Sequence, residues 1–118
     1  MARARVIFHP FPVNLRLSSE KLMAAGKEAG SQLNSGDIFI FFNKKRDRCR
    51  IVWNDGRCLN DLEKVLQKGS FAPTDKIQID EDLIDDFVWG GIEGQARLLH
   101  ALRGNVSYIE DVRDRPLD

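Results

Sequence analysis

The most apolar stretch of the chain is Ile38-Phe39-Ile40-Phe41-Phe42, followed by a polar, mostly basic run and then by an alternating run that begins at Cys49. The first stretch is rich in β-branched and aromatic residues and apolar at both parities, the pattern of a central strand covered on both faces. In the second, Cys49, Ile51 and Trp53 fall on one face, and Arg50, Val52 and Asn54 on the other. Together they predict a β-hairpin connected through residues 44–48. The side chains of that connection are too strongly charged to bury, so cations project outward from the greasiest element of the chain.

The remaining pattern supplies the partners of this hairpin. Arg5-Val6-Ile7-Phe8 has strand composition and is stopped by His9-Pro10-Phe11-Pro12. Ser18 or Ser19 can cap a helix whose apolar stripe is Leu22, Met23, Gly26, Ala29 and Leu33. Gly26 and Gly30 weaken that helix, so it needs a surface to pack on, and Asn34-Ser35-Gly36 closes it. Asn54-Asp55-Gly56 is a turn after the second hairpin strand.

Residues 58–69 fit two readings: a third antiparallel strand from Cys58-Leu59, or a helix capped by Asn60, with Glu63 reaching back and Gly69 ending it. Residues 70–75 read as loop and 76–79 as a short strand. Asp80-Glu81-Asp82 opens a helix through its carboxylates, Leu83, Ile84, Phe87 and Val88 form its buried side, and Gly90-Gly91 stop it. An amphipathic segment over 95–103 carries Leu98, Leu99 and Leu102. Residues 106–109 suggest an edge strand, and the termini 1–5 and 113–118 read as flexible arms. The expected fold is α+β: a single domain over residues 1–118, with an antiparallel sheet of three to five strands built on the hairpin and two to four helices packed against it.

Composition narrows the function classes. A chain of 118 residues buries roughly two-thirds of its unfolded surface as one domain. Its 42% hydrophobic and 31% charged residues describe an ordinary globular protein rather than a disordered one. Eighteen basic residues balance eighteen acidic ones, which argues against a generic nucleic-acid coat but leaves room for a local patch. The basic start is followed by an apolar segment that Pro10 and Pro12 break, too short for a signal core or a membrane span. The expected location is the cytoplasm, with both cysteines reduced and Cys49 serving as a small core side chain.

The run Ser35-Gly36-Asp37-Ile38-Phe39-Ile40-Phe41-Phe42-Asn43-Lys44-Lys45-Arg46-Asp47-Arg48 resembles the central signature of the TnpB-type (Orf2-like) accessory proteins encoded by insertion sequences of the IS66 family, which are distinct from the RNA-guided nuclease sharing the TnpB label. That family follows a Ser-Gly-Asp with an aromatic-rich strand, an Asn, several Arg, and a strand ending in Trp-x-Asp-Gly. Ile51-Val52-Trp53-Asn54-Asp55-Gly56 is similar without a gap. Asn14-Leu15-Arg16 sits where the family has Asp-Met-Arg, and Lys64-Val65-Leu66-Gln67-Lys68-Gly69-Ser70-Phe71 where it has Lys-Arg-Leu-Glu-x-Gly-Arg-Phe. Phe87-Val88-Trp89-Gly90-Gly91-Ile92-Glu93 resembles its closing Leu-Leu-x-Gly-Ile-Asp. The resemblance covers residues 12–93. Val65, Gln67 and Ser70 depart from it, so the second basic cluster has two fewer charges, and the tail after Glu93 has no counterpart. The resemblance implies a non-catalytic, accessory role in DNA transposition beside a separate, larger transposase. It brings no catalytic residues.

Lys44, Lys45, Arg46, Arg48 and Arg50, with only Asp47 among them, are candidates for phosphate contact. The plainer alternative is a solvated hairpin tip that discourages edge pairing. Charge alone favours the tip, and the resemblance brings DNA contact level with it. Arg16 and Lys64 join the candidates through the family positions they occupy, although an Arg at a loop-to-helix junction more often ties down backbone. Arg3 and Arg5 would extend the patch if the first strand lies beside the hairpin. Trp53 and Trp89 read as core rather than as base-stacking platforms.

His9, His100, Cys49 and Cys58 lack paired metal-ligand spacing. Asp80, Glu81, Asp82, Asp85 and Asp86 crowd one helix start instead of converging from separate elements. With no nucleophile, phosphate-loop or dinucleotide motif either, the expectation is no enzymatic activity, no metal and no cofactor. The expected partners are DNA and the element's transposase, with no membrane. A module that docks on the transposase without touching DNA is the alternative.

Overall fold

All five residues of the apolar run are buried, which makes it the spine of the structure. The computed structural model describes residues 5–28 and 37–104. In chain order these form β1 (Val6–Phe8), α1 (Ser19–Glu28), β2 (Ile38–Phe42), β3 (Arg48–Asn54), β4 (Leu59–Val65), a 3₁₀ turn (Thr74–Lys76), α2 (Glu81–Trp89) and α3 (Gly91–Leu102). The class is α+β. Residue contacts divide the chain into two compact units, Met1–Ser70 and Phe71–Asp118.

The first unit holds a four-stranded sheet in the order β1-β2-β3-β4. The hairpin forms as its pattern dictates, with Phe42 opposite Cys49 and Ile38 opposite Trp53. One expectation is corrected: the sheet is mixed, because β1 pairs with β2 in parallel, Val6 opposite Ile38. A parallel neighbour needs a crossover long enough to carry a helix, and the segment between Phe8 and Ile38 supplies α1. The open stretch after Cys58 resolves as strand. Every residue of β4 has a partner in β3, and its side chains alternate between exposed and half-buried.

Alternation places Phe39, Phe41 and Val52 on the face that carries α1, where they form a core with Leu15 and Leu22. Each fully buried aromatic or leucine there contributes roughly 2–3 kcal/mol. Ser18 caps α1, its Oγ accepting from the Lys21 N–H at 3.3 Å. Gly26 lies so close to the sheet that a Cβ would stand 2.6 Å from the Phe39 ring. The small residues in the helix stripe thus let α1 sit down on β2. Ala29, Gly30, Leu33 and the stop at 34–36 lie outside the described residues.

In the second unit, Asp80 caps α2 by accepting from the Leu83 N–H at 2.8 Å, and Leu83 and Phe87 are its buried residues. α2 ends at Gly90 as the pattern predicts, but α3 starts at once, four residues before the expected 95. Gly91 takes φ +61°, and a Cβ on Gly94 would fall 1.7 Å from the Asp86 carbonyl oxygen, so α3 turns straight against α2 without a loop. That geometry corrects the expected burial of Val88 and Trp89, which stand 37% and 84% exposed. The expected strand at 76–79 is also absent: Ile77 is extended, but no strand pairs with it among the described residues. The proposed strand at 106–109 and the tail at 113–118 lie outside the described residues. No described helix is long and apolar enough to cross a membrane.

Candidate nucleic-acid interface

One side chain organises the hairpin tip. Asn43 Oδ1 accepts from the N–H groups of Asp47 (3.1 Å) and Arg48 (3.0 Å), and its Nδ2 donates to Asp47 Oδ1 (2.7 Å). The Arg46 N–H donates to the Asn43 carbonyl at 3.0 Å. Arg46 takes φ +55°, a left-handed conformation that costs a residue with a Cβ roughly 1 kcal/mol. Its guanidinium lies 4.1 Å from the centre of the Phe42 ring, a cation–π contact of about the same size and opposite sign. Partial burial there lowers its pKa without discharging it.

The connection is therefore a tight, internally bonded turn over residues 43–47, one position earlier than the predicted 44–48 because β3 begins at Arg48. Asp47, the carboxylate within the turn, is held by Asn43. Lys44 and Lys45 are exposed and make no ion pair among the described residues.

Behind the tip opens a cleft of about 740 Å³, lined among others by Asn14, Arg16, Asn43, Arg48, Arg50 and Glu63. The sheet and the loop before α1 bring Arg16 and Arg48 to one surface although they are far apart in sequence. Arg16 is exposed, and its N–H donates to Asn14 Oδ1 at 3.0 Å, so Asn14 shapes the loop and leaves the guanidinium outside. Arg48 lies 3.6 Å from Glu63, both about half exposed, a pairing that solvent screens to under about 1 kcal/mol.

Arg50 is a different residue from its neighbours in sequence. It is 8% exposed. Its Nε donates to Asp61 Oδ1 at 3.1 Å and Nη1 to the Leu15 carbonyl at 3.0 Å. Further donations run from Nη1 to the Leu17 carbonyl and from Nη2 to Asp61 Oδ2. The planar fork thus ties the loop before α1 to the sheet and meets a carboxylate bidentately. Its donors are turned inward.

The other candidates disperse. Lys64 faces Cys49 across β3 and β4, half-buried on the side of the sheet opposite Arg48 and Arg50. β1 does lie beside β2, but its register leaves Arg5 at the end away from the tip, paired with Asp37 at 2.9 Å. Hydrogen bonding to Asp37 raises the Arg5 pKa. Arg3 lies outside the described residues. Trp53 is half-buried.

Burial pushes the Cys49 thiol up to about 12, while Cys58 is exposed. His9 Nδ1 lies 2.7 Å from the Phe11 carbonyl oxygen, and His100 is buried on α3. Asp80 is occupied as a cap and Asp86 by Arg97. Among the described residues, no three His, Cys, Asp or Glu side chains group to hold a metal.

Two relevant residues escaped the sequence pattern. Asp61, the partner of Arg50, lay in the stretch open between strand and helix, and only the β3–β4 register exposes it. Lys68 follows the Leu66 N–H, which donates to the Asp47 carbonyl at 2.7 Å. The chain leaving β4 therefore runs beside the tip and carries an exposed lysine.

Residues 4–89 match the family model described as IS66 Orf2-like protein. No curated protein and no solved structure gives a significant match.

Proposed function

Since the chain belongs to the IS66 Orf2-like family, a family of transposition-associated accessory proteins, we propose that it binds duplex DNA through the hairpin tip and assists a separate transposase in the cytoplasm, catalysing no strand chemistry itself. The carrying observation is that Lys44 and Lys45 stand exposed, without an ion pair among the described residues, on a turn whose own carboxylate is occupied by Asn43. Ammonium groups held on a rigid two-stranded arm can follow a phosphate backbone or enter a groove. Arg48, Arg16 and Lys68 flank the tip and supply further phosphate donors. Arg50 supports the surface from beneath, and Lys64 on the opposite side is left out of the contact.

Anisotropy of a labelled duplex tests this. The chain should bind with an affinity that falls steeply as salt rises. The variant Lys44→Ala/Lys45→Ala/Arg46→Ala/Arg48→Ala should bind at least about tenfold more weakly at physiological salt. An unchanged curve removes the hairpin from the account. Co-purification with the transposase without any binding to DNA is what a docking module would give. Plasmid DNA incubated with magnesium or manganese should stay intact.

A further inference from the structure

The most exposed large apolar side chains of the second unit gather where α2 meets α3: Val88 at 37%, Trp89 at 84% and Ile92 at 86% exposure. Their position follows from the glycines. With α3 starting at Gly91 and Gly94 pressed against the Asp86 carbonyl, the last turn of α2 and the first of α3 form one corner, with no loop to cover it. Soluble chains rarely leave such contiguous apolar surface open unless it meets something.

Carboxylates rim the corner. Asp82 and Asp85 lie seven and four residues before Trp89, on its face of α2, and Glu93 adjoins Ile92; all three are exposed. Over residues 71–104, seven carboxylates face three Lys or Arg, and one of those, Arg97, is taken by Asp86.

We propose that this corner docks a basic amphipathic helix presented by another protein. These three apolar side chains can receive the i, i+3/i+4, i+7 face of one amphipathic helix laid across the corner. They are too few for a second globular copy, which needs roughly 800 Å² from each partner. The rim selects for cations on the flanks of that helix. The chain's own residues 105–118 fit the charge poorly, carrying Glu110, Asp111, Asp114 and Asp118 against Arg113 and Arg115. This inference stands whether or not the hairpin touches DNA.

The test uses the full chain and two synthetic helical peptides with the same leucine spacing, one with lysine and one with glutamate at the remaining positions. Binding is read from the Trp89 indole N–H resonance, so that contact with the basic tip does not register. The lysine peptide should shift that resonance and bind at least about tenfold more tightly than the glutamate peptide. Ile92→Ser, at an exposed site, should weaken it about five- to tenfold without moving the melting temperature. Asp82→Lys/Glu93→Lys should reverse the preference between the peptides. Equal binding of both peptides, no shift with the lysine peptide, or no reversal in the charge-swapped variant would overturn the proposal. So would a chain that sediments as an oligomer and becomes monomeric on Ile92→Ser, which would make a second copy the occupant.

Discussion

The two ends of one basic run show opposite uses of the same charge. At the tip, Lys44 and Lys45 are exposed and the local carboxylate is occupied elsewhere. A few residues on, Arg50 is buried, with Asp61 and two backbone carbonyls filling its donors. The difference arises from strand alternation and from what lies above each position. The tip overhangs solvent, whereas the Arg50 side chain runs under the loop before α1. A count of cations along the sequence overstates the interface, because part of that charge holds the surface up rather than decorating it.

The comparison breaks first at Arg50. Arg50→Ala should destabilise the fold by about 3 kcal/mol or more, since it leaves Asp61 and two loop carbonyls without their donor. Arg50→Lys should recover only a fraction, because an ammonium cannot span the same partners. Urea unfolding midpoints check both. Asn43→Ala should cost about 1–2 kcal/mol by freeing the tip's amides and the Asp47 carboxylate. It should also weaken DNA binding with every cation retained, which separates presentation from charge. Lys44→Ala/Lys45→Ala should move stability by less than about 0.5 kcal/mol.

The opposite turn, between β3 and β4, gives a smaller effect of defined sign. The N–H groups of Cys58 (2.8 Å) and Arg57 (2.9 Å) donate to Asp55 Oδ1 and hold its pKa below the ordinary carboxylate value. Its contribution is present above the unfolded-state pKa and is lost as pH falls through the folded-state pKa. Wild type should therefore lose more stability than Asp55→Ala on acidification below about pH 4. Last, a thiol reagent should modify Cys58 readily in the folded chain and reach Cys49 only on unfolding.

Much of this was legible beforehand where local and global preferences agree. The hairpin, a serine cap at 18 or 19, the turn after Asn54 and the acidic start of α2 at Asp80 all follow from short-range chemistry. What escaped depended on partners far along the chain. The parallel pairing of β1 needs the crossover through α1, and β4 needs the β3 ladder to outweigh a plausible helix. The Arg50–Asp61 pair needs that ladder's register. Val88 and Trp89 read as core because apolar periodicity records preference for burial, and the close approach at Gly94 that turns them outward leaves no periodic trace. Asn43 and the five lysines and arginines between 44 and 50 likewise look alike until the turn at Asn43 decides which of them face water.

The central claim is that Lys44 and Lys45, exposed and without an ion pair among the described residues, contact phosphate. It is tested most directly by the slope of log K against log salt for duplex binding, wild type against Lys44→Ala/Lys45→Ala. Loss of two phosphate contacts should make that slope shallower by about 1.8 units, with an unchanged unfolding midpoint. An identical slope in the two proteins would contradict the account.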